Sequence, residues 1–80
     1  MTRVEHINWC KERAIKEFDY YHSKEGLAKA TQNGITSMMS DLNKHDDTKG
    51  PALQSLCMMT LMGNLIRSRQ EFVNFINGFR

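Results

Sequence analysis

The sequence predicts an all-α protein, a compact small bundle of three to four helices. Three observations lead there. Apolar residues recur at three- and four-residue intervals over four segments, and two of these segments open on a Thr or Ser followed three residues later by Glu. No run of β-branched residues alternates with polar ones, so strands are not expected. The 80 residues suit one domain, 1–80. Such a chain buries only about 63% of the surface its unfolded form exposes. A core that small is marginal alone, and oligomerisation or a bound partner is a natural supplement.

The first helix is expected from about Arg3 to Tyr21 or His22. Thr2 and Glu5 form a capping box, and Val4, Ile7, Ala14, Phe18 and Tyr21 make the apolar stripe, widened by Cys10 and Ile15. Ser23 to Gly26 is the expected break. The second helix carries Leu27, Thr31, Gly34 or Ile35, Met38 and Leu42 on one face and should stop near Lys44 or His45. Asn33-Gly34 is placed inside it, because a break there would leave Leu27–Gln32 as an isolated stub. Gly34 costs about 1 kcal/mol relative to Ala, a cost that close approach of a neighbouring helix would explain. After the polar run "KHDDTKGP", Pro51 fits the first turn of a third helix covering about Ala52 to Met62. Its broad apolar face of Leu53, Leu56, Cys57, Thr60 and Leu61 extends to Met58, Met59 and Met62, so it is expected to be the central element. Gly63-Asn64 ends it. The fourth helix starts at Ser68, with Glu71 completing a second capping box, and carries Phe72, Phe75, Ile76 and Phe79.

Charge excludes some functions. There are 11 Lys and Arg against 9 Asp and Glu, a formal net of +2, with the mild excess at the C-terminal end. No basic stripe of the kind nucleic-acid binders carry is visible, and acidic mimicry of DNA is excluded. The apolar-rich run Leu53 to Ile66 is too short and too polar to span a bilayer, so no membrane partner is expected. Without a signal peptide the chain reads as cytoplasmic, with Cys10 and Cys57 as reduced core residues.

No cofactor, metal or catalytic residue is assigned. His6 and Cys10 are four apart, but Cys57, His22 and His45 supply no further pair spacing for a zinc site. His6 reads as a partly exposed first-turn residue. A Cys–His nucleophile would need a thiolate-favouring setting that two cysteines on apolar faces lack. Phosphate, dinucleotide and hydrolase motifs are missing, and the chain is read as not an enzyme. The segment "SMMSDLNKHDDTKG" offers Asp41, Lys44 and His45 as polar recognition groups. The alternative is a local turn or cap at Asp46, Asp47 and Thr48. Two methionine clusters, Met38 and Met39, then Met58, Met59 and Met62, suit either a soft core or an adaptable contact surface. Adjacent pairs cannot both point inward, so one of Met38/Met39 and one of Met58/Met59 should reach the edge. Trp9 lies off the stripe, either wedged against the fourth helix or exposed as an anchor. The protein-binding candidates are therefore Trp9, Met38, Met39, Asp41, Lys44, His45, Met58 and Met59. For nucleic acid, the less favoured partner, they are Arg67, Arg69, Asn74 and Arg80.

"VEHINWCKERA", "SMMSDLNKHDDTKG", "MMTLMG" and "EFVNFINGF" together make the chain resemble a family of small helical accessory proteins of tailed bacteriophages and their prophages. The sequence departs from that pattern around "HSKEGLAKATQNG", where the second helix starts. The resemblance implies a small accessory protein that binds a host or phage protein and modulates it, in the host cytoplasm. It implies no catalytic residues. Self-assembly into a homo-oligomer is the further alternative.

Overall fold

Thr2 opens the first helix as the spacing predicts. Its Oγ1 accepts from the Glu5 N–H at 3.1 Å, and the Glu5 carboxylate accepts from the Thr2 N–H at 3.0 Å. That second bond holds the Glu5 carboxyl below its ordinary pKa. In the computed structural model, which describes residues 2–45, 50–63 and 65–79, four helices follow. They are α1 (Arg3–Glu25), α2 (Leu27–Leu42), α3 (Pro51–Gly63) and α4 (Arg69–Asn77). The fold is a compact all-α bundle, and its 11.7 Å radius of gyration compares with about 11.6 Å for a folded chain of this length.

The α1 helix outruns its expected end by about one turn. Ser23 does not break it, because its hydroxyl donates back to the Tyr20 carbonyl and stays within the helix. The break is Gly26 alone, at φ 91°, a conformation that only glycine adopts without strain. One residue thus reverses the chain, and α2 returns antiparallel along α1, bringing His6 to Asp41 and Ala14 to Gly34. Gly34 lies inside α2 and is buried. A Cβ there would sit 2.5 Å from Phe72 Cζ and 3.3 Å from the Ala14 carbonyl oxygen. The missing side chain is what lets α1, α2 and α4 meet.

Phe72 fills that gap and stacks on Phe18 with ring centroids 4.4 Å apart. The same core includes Ala14, Ile35, Met38, Leu42 and Ile76, all fully buried. Ser68 caps α4 by accepting from the Glu71 N–H at 3.2 Å. Glu71 reaches back one residue beyond the cap, accepting from the Arg67 N–H at 3.1 Å. Its partner is thus shifted from that of an ideal capping box. Outside the core, Asp19 and Arg69 tie α1 to α4 through two bonds of 2.7 and 3.0 Å.

The expectation that α3 is central is corrected here. The centre is the α1–α2 hairpin, with α4 on α1 and α3 on α2. Only Cys57 and Thr60 of α3 are buried, supported by half-buried Leu53 and Leu61. Gln54 adds a bond from its Nε2 to the Met39 carbonyl, at 3.0 Å. An apolar composition made α3 look internal, but the hairpin and α4 already fill the core between them. The third helix can bury one face and no more.

Candidate interaction surfaces

Two regions concentrate the candidate residues, and they differ in kind. The first is a polar clasp where the start of α1 meets the end of α2. Asp41 is 1% exposed, although its position in a polar segment suggested a surface group. Its Oδ2 accepts from Arg13 Nε at 2.7 Å and its Oδ1 from Lys44 Nζ at 3.0 Å. Both cations remain about half exposed, so the carboxylate gives up its water while they keep theirs. The backbone of Asp41 is held as well, because His6 Nε2 donates to its carbonyl oxygen at 2.9 Å.

Aromatic rings close the clasp. The His6 ring stacks on His45 at 4.9 Å and on Trp9 at 5.6 Å. The Arg13 guanidinium lies 4.8 Å from the Trp9 ring centre and the Lys44 ammonium 5.6 Å from it. Trp9 is half-buried, and these ring contacts face the α2 end of the molecule. Asp41, Lys44 and His45 therefore come together, and Trp9 joins them in place of wedging against α4. What they do is hold α1 to α2. His6 is 4% exposed, not a partly exposed first-turn residue. Sequence reasoning missed His6 and Arg13, for which an i, i+7 spacing within α1 was the sole signal. Their partner on α2 could not be read from it.

The Cys10–His6 pair is not an activated nucleophile. Cys10 Sγ lies 3.6 Å from His6 Nε2, but that nitrogen carries its proton toward the Asp41 carbonyl. Burial, and next the Asp41 charge, push the Cys10 thiol up to about 11. Burial pushes Cys57 up to about 11 too. Both thiols are free, protonated and buried, the reverse of a reactive cysteine. Among the described residues, no group of three or more His, Cys, Asp or Glu is placed to hold a metal ion.

The second region is the outer face of α3. Met59 is 69% and Met62 78% exposed, with Leu56, Met58 and Leu65 also in water. Between Pro51 and Gly63 there is no Asp, Glu, Lys, Arg or His. Helices apolar all round are ordinarily buried all round. Met58 and Met59 thus both lie at the surface, as candidates for contact have to. Met38 does not: it is 0% exposed and belongs to the buried core. Met39 is half-buried against the same core, its carbonyl taken by Gln54. Leu56, Met62 and Leu65 are further members of this surface, for which the charge-free run 51–63 was an available signal.

The apolar surface continues past α3. Clefts of about 190 Å³ (Leu56, Phe75, Gly78, Phe79) and about 230 Å³ (Val4, Ile7, Asn8, Lys11, Phe79) share Phe79. They join Leu56 to Val4, which is 67% exposed. A larger cleft of about 530 Å³ lies between α2 and the link to α4, lined by Leu27, Thr31, Leu61, Ile66 and Arg67, and Thr31 Oγ1 is buried there without a hydrogen-bond partner.

The residues considered for nucleic acid do not converge. Arg69 is engaged by Asp19, the hydrogen bond holding the guanidinium protonated and the carboxyl below its usual range. Asn74 accepts from Gln70 at 2.9 Å. Arg67 borders the large cleft. Arg80, the Asp46–Thr48 turn and Asn64 lie outside the described residues. No described helix is long and apolar enough to cross a membrane.

No family model, curated protein or solved structure matches this chain.

Proposed function

We propose that this protein is a non-enzymatic interaction module that binds another protein through the outer face of α3. One observation carries this reading. An uncharged helix keeps Leu56, Met58, Met59 and Met62 in water, with Leu65 just beyond it. Large contiguous apolar patches on small proteins mark contact surfaces. Methionine suits the task because its flexible, polarizable side chain adapts to the partner's shape. The mixed-charge remainder of the surface keeps the chain in solution while α3 makes the contact.

In the setting of the phage accessory proteins that the sequence resembles, the partner is a host or phage protein and the effect is modulation of its activity. The clasp serves the same end indirectly, by fixing the hairpin against which α3 is mounted. Nucleic acid is a weaker reading because Arg69, the best-placed cation of α4, is committed to Asp19.

The test is capture by tagged full-length protein in nuclease-treated host lysate, run beside the variant Met59→Lys. A protein retained by the parent and lost by the variant, with unchanged helicity, is the expected result. Equal capture by both would remove α3 as the binding element. Loss of every retained species on nuclease treatment would move the activity to nucleic acid.

A further inference from the structure

The outer face of α3 has a periodicity of its own. Ala52, Ser55, Met59 and Met62 are all exposed and follow one another at intervals of three, four and three. That is the a/d spacing of a coiled-coil seam. Leu53, Cys57, Thr60 and Leu61 lie on the other side, against the core. The helix therefore has two seams, and the bundle fills one. The flanking positions of the open seam, where coiled coils commonly place charges, hold Leu56 and Met58, which are 51% and 42% exposed.

The order of side-chain sizes selects the occupant. Along the open seam the residues run small, small, large, large. A second α3 laid antiparallel across a two-fold axis sets Ala52 opposite Met62 and Ser55 opposite Met59. On the flanks Leu56 then lies beside Leu56 of the second copy, and Met58 beside Met58. Every layer pairs a small residue with a large one or two of similar size, which fills the space evenly. Parallel alignment would stack methionine on methionine at one end and leave a void between alanines at the other. Charge points the same way, because a partner with ions at this surface would bury them without counter-ions. A second copy brings none, since residues 51–63 include no Asp, Glu, Lys, Arg or His.

Area is adequate. Leu56, Met58, Met59 and Met62, with Leu65 just past the helix end, each leave on the order of 100 Å² in water, so a symmetric pair that covers all five buries about 1,000 Å², the size at which a specific interface begins to hold. We propose that the outer face of α3 is the interface of a homodimer in which two copies pair antiparallel, Ser55 of each against Met59 of the other. This rests on reading α3 as a contact surface and names a second copy as what covers it in the free protein, a pairing that a host or phage partner would displace. The pairing is isologous, so it closes at two copies and forms no filament.

The experiment is sedimentation equilibrium of the full chain from low to high micromolar concentration. The mass should rise from the 9.3 kDa of one chain toward twice that value. Met59→Lys should weaken the dimer by about 30-fold or more with unchanged circular dichroism. Register is read by mixing Ser55→Cys and Met59→Cys chains with oxidised glutathione. The mixed disulfide should form faster than Ser55→Cys with itself, and native Cys10 and Cys57 do not compete because both are buried. A monomer at every concentration overturns the dimer. If Met59→Lys then still abolishes capture of a nuclease-resistant protein, α3 remains a contact surface for a different chain. If capture is also unchanged, both readings fall. A dimer that survives Met59→Lys places the interface elsewhere. Preferential Ser55→Cys self-crosslinking overturns the antiparallel register.

Discussion

At one end of α2 a carboxylate is 1% exposed, while on the neighbouring α3 two methionines are 69% and 78% exposed. The polar group is inside and the apolar groups are outside. Asp41 tolerates burial because each of its oxygens has a cationic donor and its carbonyl has His6. Met59 and Met62 stay in water because the hairpin and α4 leave no second surface for α3 to cover. A buried charge with every bond satisfied belongs to the machinery of the fold. An exposed apolar stripe with nothing against it belongs to recognition. The comparison therefore gives the clasp a part in stability and supports the proposal of binding at α3.

The sharpest way to break this contrast is Asp41→Asn. It keeps the volume and removes the charge that Arg13 and Lys44 share, so urea denaturation should show a loss of about 2–3 kcal/mol. The half-exposed cations regain water, which keeps the loss below that of a fully buried pair. A change under about 0.5 kcal/mol would make the clasp a surface feature and dissolve the contrast. Next comes Gly34→Ala, where the helix-propensity gain of about 1 kcal/mol meets a Cβ 2.5 Å from Phe72. Phe72 is stacked on Phe18 and cannot swing away, so a net loss of about 1–2 kcal/mol is expected by the same assay. A stabilised variant would show that α4 is loosely docked.

A smaller effect comes from the thiols. Cys10 and Cys57 are raised from the ordinary 9.0 to about 11 in the fold. A raised acid favours the folded state only while it is protonated. That contribution is whole below the unfolded value and is lost as pH climbs from 9 to 11. By the middle of that window each thiol should cost about 1 kcal/mol, and Cys57→Ala should remove its share from the alkaline loss. The least effect on stability, and the clearest on exposure, is expected from peroxide. Mapping by mass spectrometry should find Met62 and Met59 oxidised well before Met38, which is 0% exposed. If all three oxidise together, the core around Met38 is open. If Met59 and Met62 become protected only as concentration rises, the dimer covers them.

Much of the fold was legible in the residues. Thr2 with Glu5 and Ser68 with Glu71 marked two helix starts, and Pro51 marked a third. Placing Gly34 inside α2 was justified by Phe72, whose ring occupies the space a Cβ would need. The end of α1 was not legible, because Ser23 could break a helix or bond back to Tyr20, and the sequence does not say which. The candidate surfaces were half legible. Asp41, Lys44 and His45 were offered as recognition groups and Trp9 as a wedge on α4 or an exposed anchor, whereas the fold gathers Trp9 with Lys44 and His6 at the end of α2 in a structural clasp. Met38 was offered for binding and lies in the core.

Local spacing determined by itself that this chain is helical, where three of its helices begin, and which stripe of each is apolar. Those properties depend on neighbours within about four residues. Which stripes meet was decided only by the tertiary structure. Arg13 finds Asp41 across 28 residues and Phe72 finds Gly34, and these pairings leave α3 only the face around Cys57 to bury. Sequence shows that α3 is apolar. That it stays half uncovered follows from how much volume the other helices had already filled.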